Sequence, residues 1–138
     1  MPAVPYDRYE EVFASGVSAR VVHDRSRVKF AARLLRARIP IERTRSPLLL
    51  LSGTDDEVWN SAAMSQSLVR TMRGRGKGDL VSSFPYARAG HGICGDGTTP
   101  WEFAGGDTTV KRSTARANGD AWRRTLDFLG ARLALVKR

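Results

Sequence analysis

Two short stretches constrain this chain more than anything else in it: Leu48-Leu49-Leu50-Leu51-Ser52-Gly53-Thr54-Asp55-Asp56 and Ala89-Gly90-His91. The first is a continuous apolar run broken by a glycine and followed by two acids. Such a run reads as a strand buried on both faces of a parallel sheet, with a loop at its carboxyl end. The second sets a glycine before a histidine just after a weaker strand, Leu80 to Tyr86, whose apolar members are Val81 and Phe84. Between the two, Met64, Leu68 and Met72 fall at i, i+4 and i+8. They form the stripe of a helix capped by Asn60 or Ser61, running to about Arg73 and ended by Gly74-Arg75-Gly76-Lys77-Gly78. Strand, helix, strand at this spacing is a βαβ unit with parallel strands and a right-handed crossover. An acid and a histidine in that chain order, each beyond a strand's carboxyl end, fit the two supporting members of a nucleophile–histidine–acid triad.

The rest of the chain divides around this unit. Residues 1–45 read as a helical, lid-like leader and residues 46–138 as the α/β portion that carries the acid and the histidine. In the leader, Val28, Ala31, Leu34 and Leu35 share one face of an amphipathic segment from Ser26 to Arg38, which Pro40 ends. From Ala87 to Gly119 the chain is rich in Gly, Thr, Asp and Pro, and so long a connection is usually functional. A last helix, about Asn118 to Val136, carries Trp122, Leu126, Leu129 and Leu133 at core-facing spacing. With two strands, one sheet edge is left unpaired, a surface for self-association or for another polypeptide.

Composition narrows the class. An apolar fraction of 41% and a charged fraction of 27% in 138 residues are those of one ordinary globular domain. The net charge of +9 rests on 19 Arg and 4 Lys, interspersed with acids and without a dense basic run. No recognition signature accompanies that charge, which argues against a nucleic-acid partner. The single cysteine, Cys94, has no intramolecular disulfide partner, and paired-Cys metal spacing is impossible. No signal-peptide pattern opens the chain, and no apolar stretch approaches the roughly 20 residues of a membrane span. The expectation is a cytoplasmic protein without metal or cofactor.

His91 stands where α/β sheets bind ligands, beyond the carboxyl ends of the strands. There an imidazole can act as general base towards a nucleophile and then as general acid towards the leaving group. Asp55, Asp56 and Glu57 compete for the acid's role, and an acidic helix-entry loop is the bland alternative. Position relative to Gly53 favours Asp56, with Asp55 as the alternative acid. Asp56 and His91 are 35 residues apart, room for one helix and one strand. His23, in Val21-Val22-His23-Asp24, reads as a surface or helix-entry residue.

Residues 39–129 resemble the C-terminal region of the acyl-CoA thioesterase and bile acid-CoA:amino acid N-acyltransferase family. The matching stretches are Ile39-Pro40-Ile41-Glu42-Arg43, Leu48 to Trp59, Met64, Phe84-Pro85-Tyr86, Ala89-Gly90-His91, Gly105-Gly106 and Ala115 to Trp122. The resemblance implies the C-terminal portion of an α/β-hydrolase fold acting on acyl-CoA or related thioesters. It also implies that Asp56 and His91 are triad members serving a Ser or Cys on an earlier elbow. The family's Tyr-Pro-Gly-Ala-Gly-His is altered here, with Ala87 and Arg88 where Pro and Gly are expected, and Asn60 stands where Pro is common. Beyond the histidine, Gly92-Ile93-Cys94-Gly95-Asp96-Gly97 replaces the usual Leu-Ile and prolines.

No Gly-x-Ser-x-Gly or Gly-x-Cys-x-Gly occurs in the sequence. Ser18, in Gly16-Val17-Ser18-Ala19-Arg20, lacks the second glycine and a preceding strand, and Cys94 follows His91 on the same loop. Neither makes an elbow, so the isolated chain is expected to be inactive or nearly so. Trp59 and Trp101 are candidates to line an acyl pocket, or else pack against the acid loop and the lid. Arg88 and Arg112 are candidates for the phosphates of CoA. The alternative reading is a non-catalytic hydrolase-like module that binds CoA-like ligands or complements another polypeptide.

Overall fold

Pairing the two apolar runs is what organises the chain. In the computed structural model, which describes residues 6–93 and 107–136, strand β1 (Leu48–Gly53) lies parallel to β2 (Val81–Tyr86) in an open two-stranded sheet. The register runs from Leu48 opposite Val81 to Gly53 opposite Tyr86, so both strands end together at their carboxyl ends. Between them runs helix α4 (Ser61–Arg73), which packs on both strands. Asn60 caps it, its side-chain oxygen accepting the Ala63 N–H at 3.3 Å. The helix unwinds through Gly74 and turns at Gly76, whose φ of +68° suits glycine. The protein is of the α/β class, as the sequence pattern and the resemblance imply.

A second helix covers the sheet, and here the structure departs from expectation. Helix α5 (Thr108–Val136) also packs on both strands, but begins ten residues before Asn118, inside the stretch read as loop. The cause is a cap: the Asp107 carboxylate accepts the N–H groups of Thr109 and Val110 at 2.8 and 3.0 Å. Backbone donors also hold its carboxyl below the ordinary carboxylate range, with Val110 first. The buried face of α5 is Thr114, Ala117, Asn118 and Ala121, small or polar residues at helical spacing. Of the stripe expected to face the core, only Trp122 is half-buried. Leu126, Leu129 and Leu133 are 50%, 47% and 63% exposed, because two strands offer no surface beyond the first half of the helix. For the same reason Leu48 to Leu51 are half-buried rather than covered on both faces, and only Ser52 and Gly53 are buried.

The leader is helical but differently divided. It holds α1 (Glu11–Ala14), α2 (Ala19–Lys29), α3 (Ala31–Ala37) and a 3-10 turn at Ile41–Arg43. Ser18 caps α2 by accepting the Arg20 N–H, and the chain breaks at Phe30. The single helix expected from Ser26 to Arg38 is therefore two, and Val28 and Leu35 of its apolar face point to solvent. Val22 and Ser26 are the buried positions instead. Ser26 is satisfied there: its hydroxyl donates to the Val22 carbonyl at 2.6 Å and accepts the Asp7 N–H at 2.8 Å. Lys77 ties leader to body, its Nζ donating to the carbonyls of Glu42 and Thr44. Among the described residues no helix is long and apolar enough to cross a membrane.

Candidate active site

Because the strands end in register, the loops that follow them are sewn to each other. The Thr54 N–H donates to the Tyr86 carbonyl and the Asp55 N–H to the Ala89 carbonyl, both at 3.0 Å. The Arg88 N–H donates to Thr54 Oγ1 at 2.9 Å. Gly53 is required at this seam. A Cβ there would stand 2.2 Å from the Ala89 carbonyl oxygen and 2.5 Å from that of Gly90. The sequence signal, a glycine breaking an apolar strand, is thus a close approach of two backbones.

The seam brings Asp56 to His91. Asp56 Oδ2 lies 3.2 Å from His91 Nδ1, and Asp56 is only 2% exposed. Its other oxygen, Oδ1, accepts the N–H groups of Val58 and Trp59 at 2.9 and 3.3 Å, fixing the carboxylate's plane. Asp55 is turned away and accepts the Thr54 hydroxyl. Of the competing acids, Asp56 is the one in contact with the imidazole. A buried carboxylate on Nδ1 holds that nitrogen's proton and leaves Nε2 as the basic position of the neutral ring.

Trp59 completes the wall. Its ring stands edge-on to His91 at 4.6 Å between centroids and 89° between planes. On its other side His23 stacks edge-on at 5.8 Å, with Tyr6 4.8 Å beyond. His23, read from sequence as a surface or helix-entry residue, is half-buried in this aromatic row, and desolvation lowers its pKa. His91, Asp56 and Trp59 line a cleft of about 250 Å³ with Gly53, Ser61 and Ile93. Arg88 is exposed and does not line it. Trp101, Cys94 and the Gly105-Gly106 stretch lie outside the described residues. Among the described residues no cluster of His, Cys, Asp and Glu could hold a metal ion.

Two supports of the site carried no sequence signal. Arg20, in the first turn of α2, donates its N–H to the Glu57 carbonyl at 2.9 Å and its guanidinium to the Asp56 carbonyl at 3.3 Å. Ser18 donates to the same Glu57 carbonyl at 3.0 Å. The leader thus anchors the acid loop by its backbone, which any residue supplies, so only the donors could have been read. Thr114 does the same for the histidine loop. Fully buried, it accepts the Gly90 N–H at 2.8 Å while donating to the Val110 carbonyl at 2.7 Å. A threonine inside a helix reads as a poor helix former, not as a tether 24 residues from its partner.

Comparison with curated proteins and with solved structures gives no significant match. The family described as BAAT / acyl-CoA thioester hydrolase C terminal matches residues 17–135, from the leader through α5. That span contains the acid loop, the histidine loop and both of their supports. This chain belongs to the BAAT / acyl-CoA thioester hydrolase C-terminal family.

Proposed function

We propose that Asp56 and His91 are the acid and base of a nucleophile–histidine–acid triad that transfers acyl groups from acyl-CoA or related thioesters. The observation that carries this reading is the buried Asp56 carboxylate 3.2 Å from His91 Nδ1, at the carboxyl ends of two parallel strands. In this reading His91 Nε2 takes the proton of a Ser or Cys nucleophile as it attacks the thioester carbonyl. The same proton then goes to the departing CoA sulfur. Water, or an amine in a transferase, releases the acyl group with His91 again as base. Asp56 keeps the proton on Nδ1 and stabilises the imidazolium as it forms.

The nucleophile in this proposal comes from another polypeptide segment. The two serines of the cleft do not fit the role: Ser61 Oγ donates to the Gly53 carbonyl at 3.2 Å, and Ser52 is buried within β1. Neither sits on a strand-to-helix elbow. An outer edge of the two-stranded sheet is where a segment carrying the elbow would pair, or where a second copy would associate. The test is CoA release from acyl-CoA by the 138-residue chain, alone and mixed with the strand–elbow–helix half of a family member. The chain alone should match its His91→Ala variant. The mixture should release CoA, and His91→Ala or Asp56→Asn should cost on the order of a thousandfold or more. Release by the chain alone that His91→Ala abolishes would overturn the external nucleophile; release by the mixture that survives His91→Ala would overturn the triad.

A further inference from the structure

Behind Trp59 the molecule holds two apolar cavities that the triad chemistry does not use. The inner one, about 300 Å³, lies between α2 and the start of α4 and is lined by Trp59, Tyr6, His23, Leu34 and Met64. The outer one, about 480 Å³, lies between α3 and α4 and adds Leu35, Ile39, Ile41 and Leu68. Leu34, Met64 and Arg27 belong to both, so the two run into one another. Trp59 belongs both to the inner cavity and to the His91 cleft. The two cavities make one trough along the leader, with the indole of Trp59 standing between its inner end and the imidazole. Its walls keep large apolar side chains open to solvent, with Met64 40%, Ile39 65% and Leu35 78% exposed.

We infer that this trough binds the linear acyl chain of the substrate, with Leu34 and Met64, which line both cavities, as the side chains that read its length. The inference rests on the acyl-transfer reading, and adds to it where the chain lies and which side chains select it. Three features argue for an acyl chain rather than a peptide or a second copy. The trough's inner end lies directly behind Trp59, the side chain it shares with the acid–histidine cleft, where a thioester carbonyl must sit. Its two sides are helices whose backbone groups are bonded internally, so an extended peptide would bury amides without partners. And its size matches that of small-molecule sites, which are mostly apolar with few polar groups.

The test needs no turnover. In the 138-residue chain labelled with ¹³C at the methionine methyls, dodecanoate is titrated below its micelle concentration, with octanoate as the shorter probe. Met64 lines the trough, while Met72 is fully buried elsewhere and serves as the internal control. The Met64 methyl should shift saturably and Met72 should not. Dodecanoate should bind more tightly than octanoate, roughly fourfold for each added methylene. Leu34→Trp, which fills the junction of the two cavities, should weaken dodecanoate at least tenfold and octanoate much less. Leu35→Glu, at an exposed position that leaves the fold intact, should also weaken dodecanoate.

A Met64 methyl indifferent to dodecanoate overturns the inference, as does equal affinity for the two probes. So does a Met64 shift that follows protein concentration instead of probe, since the occupant is then a second copy. The catalytic reading fails separately. A responsive Met64 without His91-dependent CoA release in the complemented assay would leave an apolar-ligand trough and no triad.

Discussion

At the scale of single residues the site is held by backbone proximity. Gly53→Ala would push a methyl into two carbonyl oxygens of the histidine loop, both under 3 Å from the new Cβ. It should cost upwards of about 3 kcal/mol in urea unfolding. Arg88 shows the opposite case. It holds φ +58° where the family's motif has glycine, and a β-carbon pays for that left-handed conformation by roughly 1–2 kcal/mol. Arg88→Gly recovers part of that strain, less the glycine's greater freedom when unfolded, so the midpoint should rise by about 0.5–1 kcal/mol equivalent. No change or a loss would mean the guanidinium contributes more than the strain removes. Asp56, His91 and Gly53 were legible because an acid, a histidine and a breaker at strand ends are rare together. Arg20 and Thr114 were not, because their partners are backbone groups of residues distant in sequence.

At the scale of elements, α5 is fastened to the sheet by two different links. Thr114 carries the Gly90 N–H, and Thr114→Val, nearly isosteric, leaves that buried donor without its acceptor. A loss of about 1–3 kcal/mol is expected, with amide exchange at Gly90 accelerated beyond the rest of the chain. Unchanged protection at Gly90 would show the tether to be idle. The second link is the Tyr86 hydroxyl, which donates to Asp120 at 2.9 Å, while the Arg124 guanidinium lies 3.9 Å over the Phe84 ring. Burial, and then the Asp120 carboxylate, push the Tyr86 phenol up to about 12 from its ordinary 10. A raised folded value means that Tyr86's contribution is complete below pH 10 and is lost as pH rises towards 12. Arg124 first, and Tyr86 second, hold the Asp120 carboxyl below its usual range. That contribution is present above the ordinary carboxylate value and fades as pH falls through the lowered one. Stability against urea should therefore decline above pH 10, and Tyr86→Phe should flatten the alkaline decline. A decline unaltered by that substitution would assign it to other groups. This element also marks where periodicity misleads: the leucine spacing of α5 named a face, but two small residues and two polar ones were what fitted the sheet.

At the scale of the whole molecule, a two-stranded sheet leaves apolar side chains uncovered. The open strand edges, the half-buried Leu48 to Leu51 and the exposed Leu126, Leu129 and Leu133 all follow from there being two strands among the described residues. Patches of this kind mark surfaces that associate. Sedimentation of the chain should show concentration-dependent association, and Leu126→Glu with Leu133→Glu should shift it towards monomer without loss of helicity. A monomer at all concentrations, with the same stability, would contradict an associating face. The βαβ unit and its class were readable because apolar periods report local structure. The degree of burial was not, since it depends on how many strands lie alongside.

These scales meet in one contact, the Asp56 carboxylate on His91 Nδ1. The direct test is the tautomer of His91, read from its two ring ¹⁵N shifts above pH 8, with His23→Gln removing the only other histidine signal. The proton should reside on Nδ1, and Asp56→Asn should move it to Nε2 or leave a mixture. A wild-type ring protonated at Nε2, or a tautomer indifferent to Asp56→Asn, would contradict the pairing on which the functional reading stands.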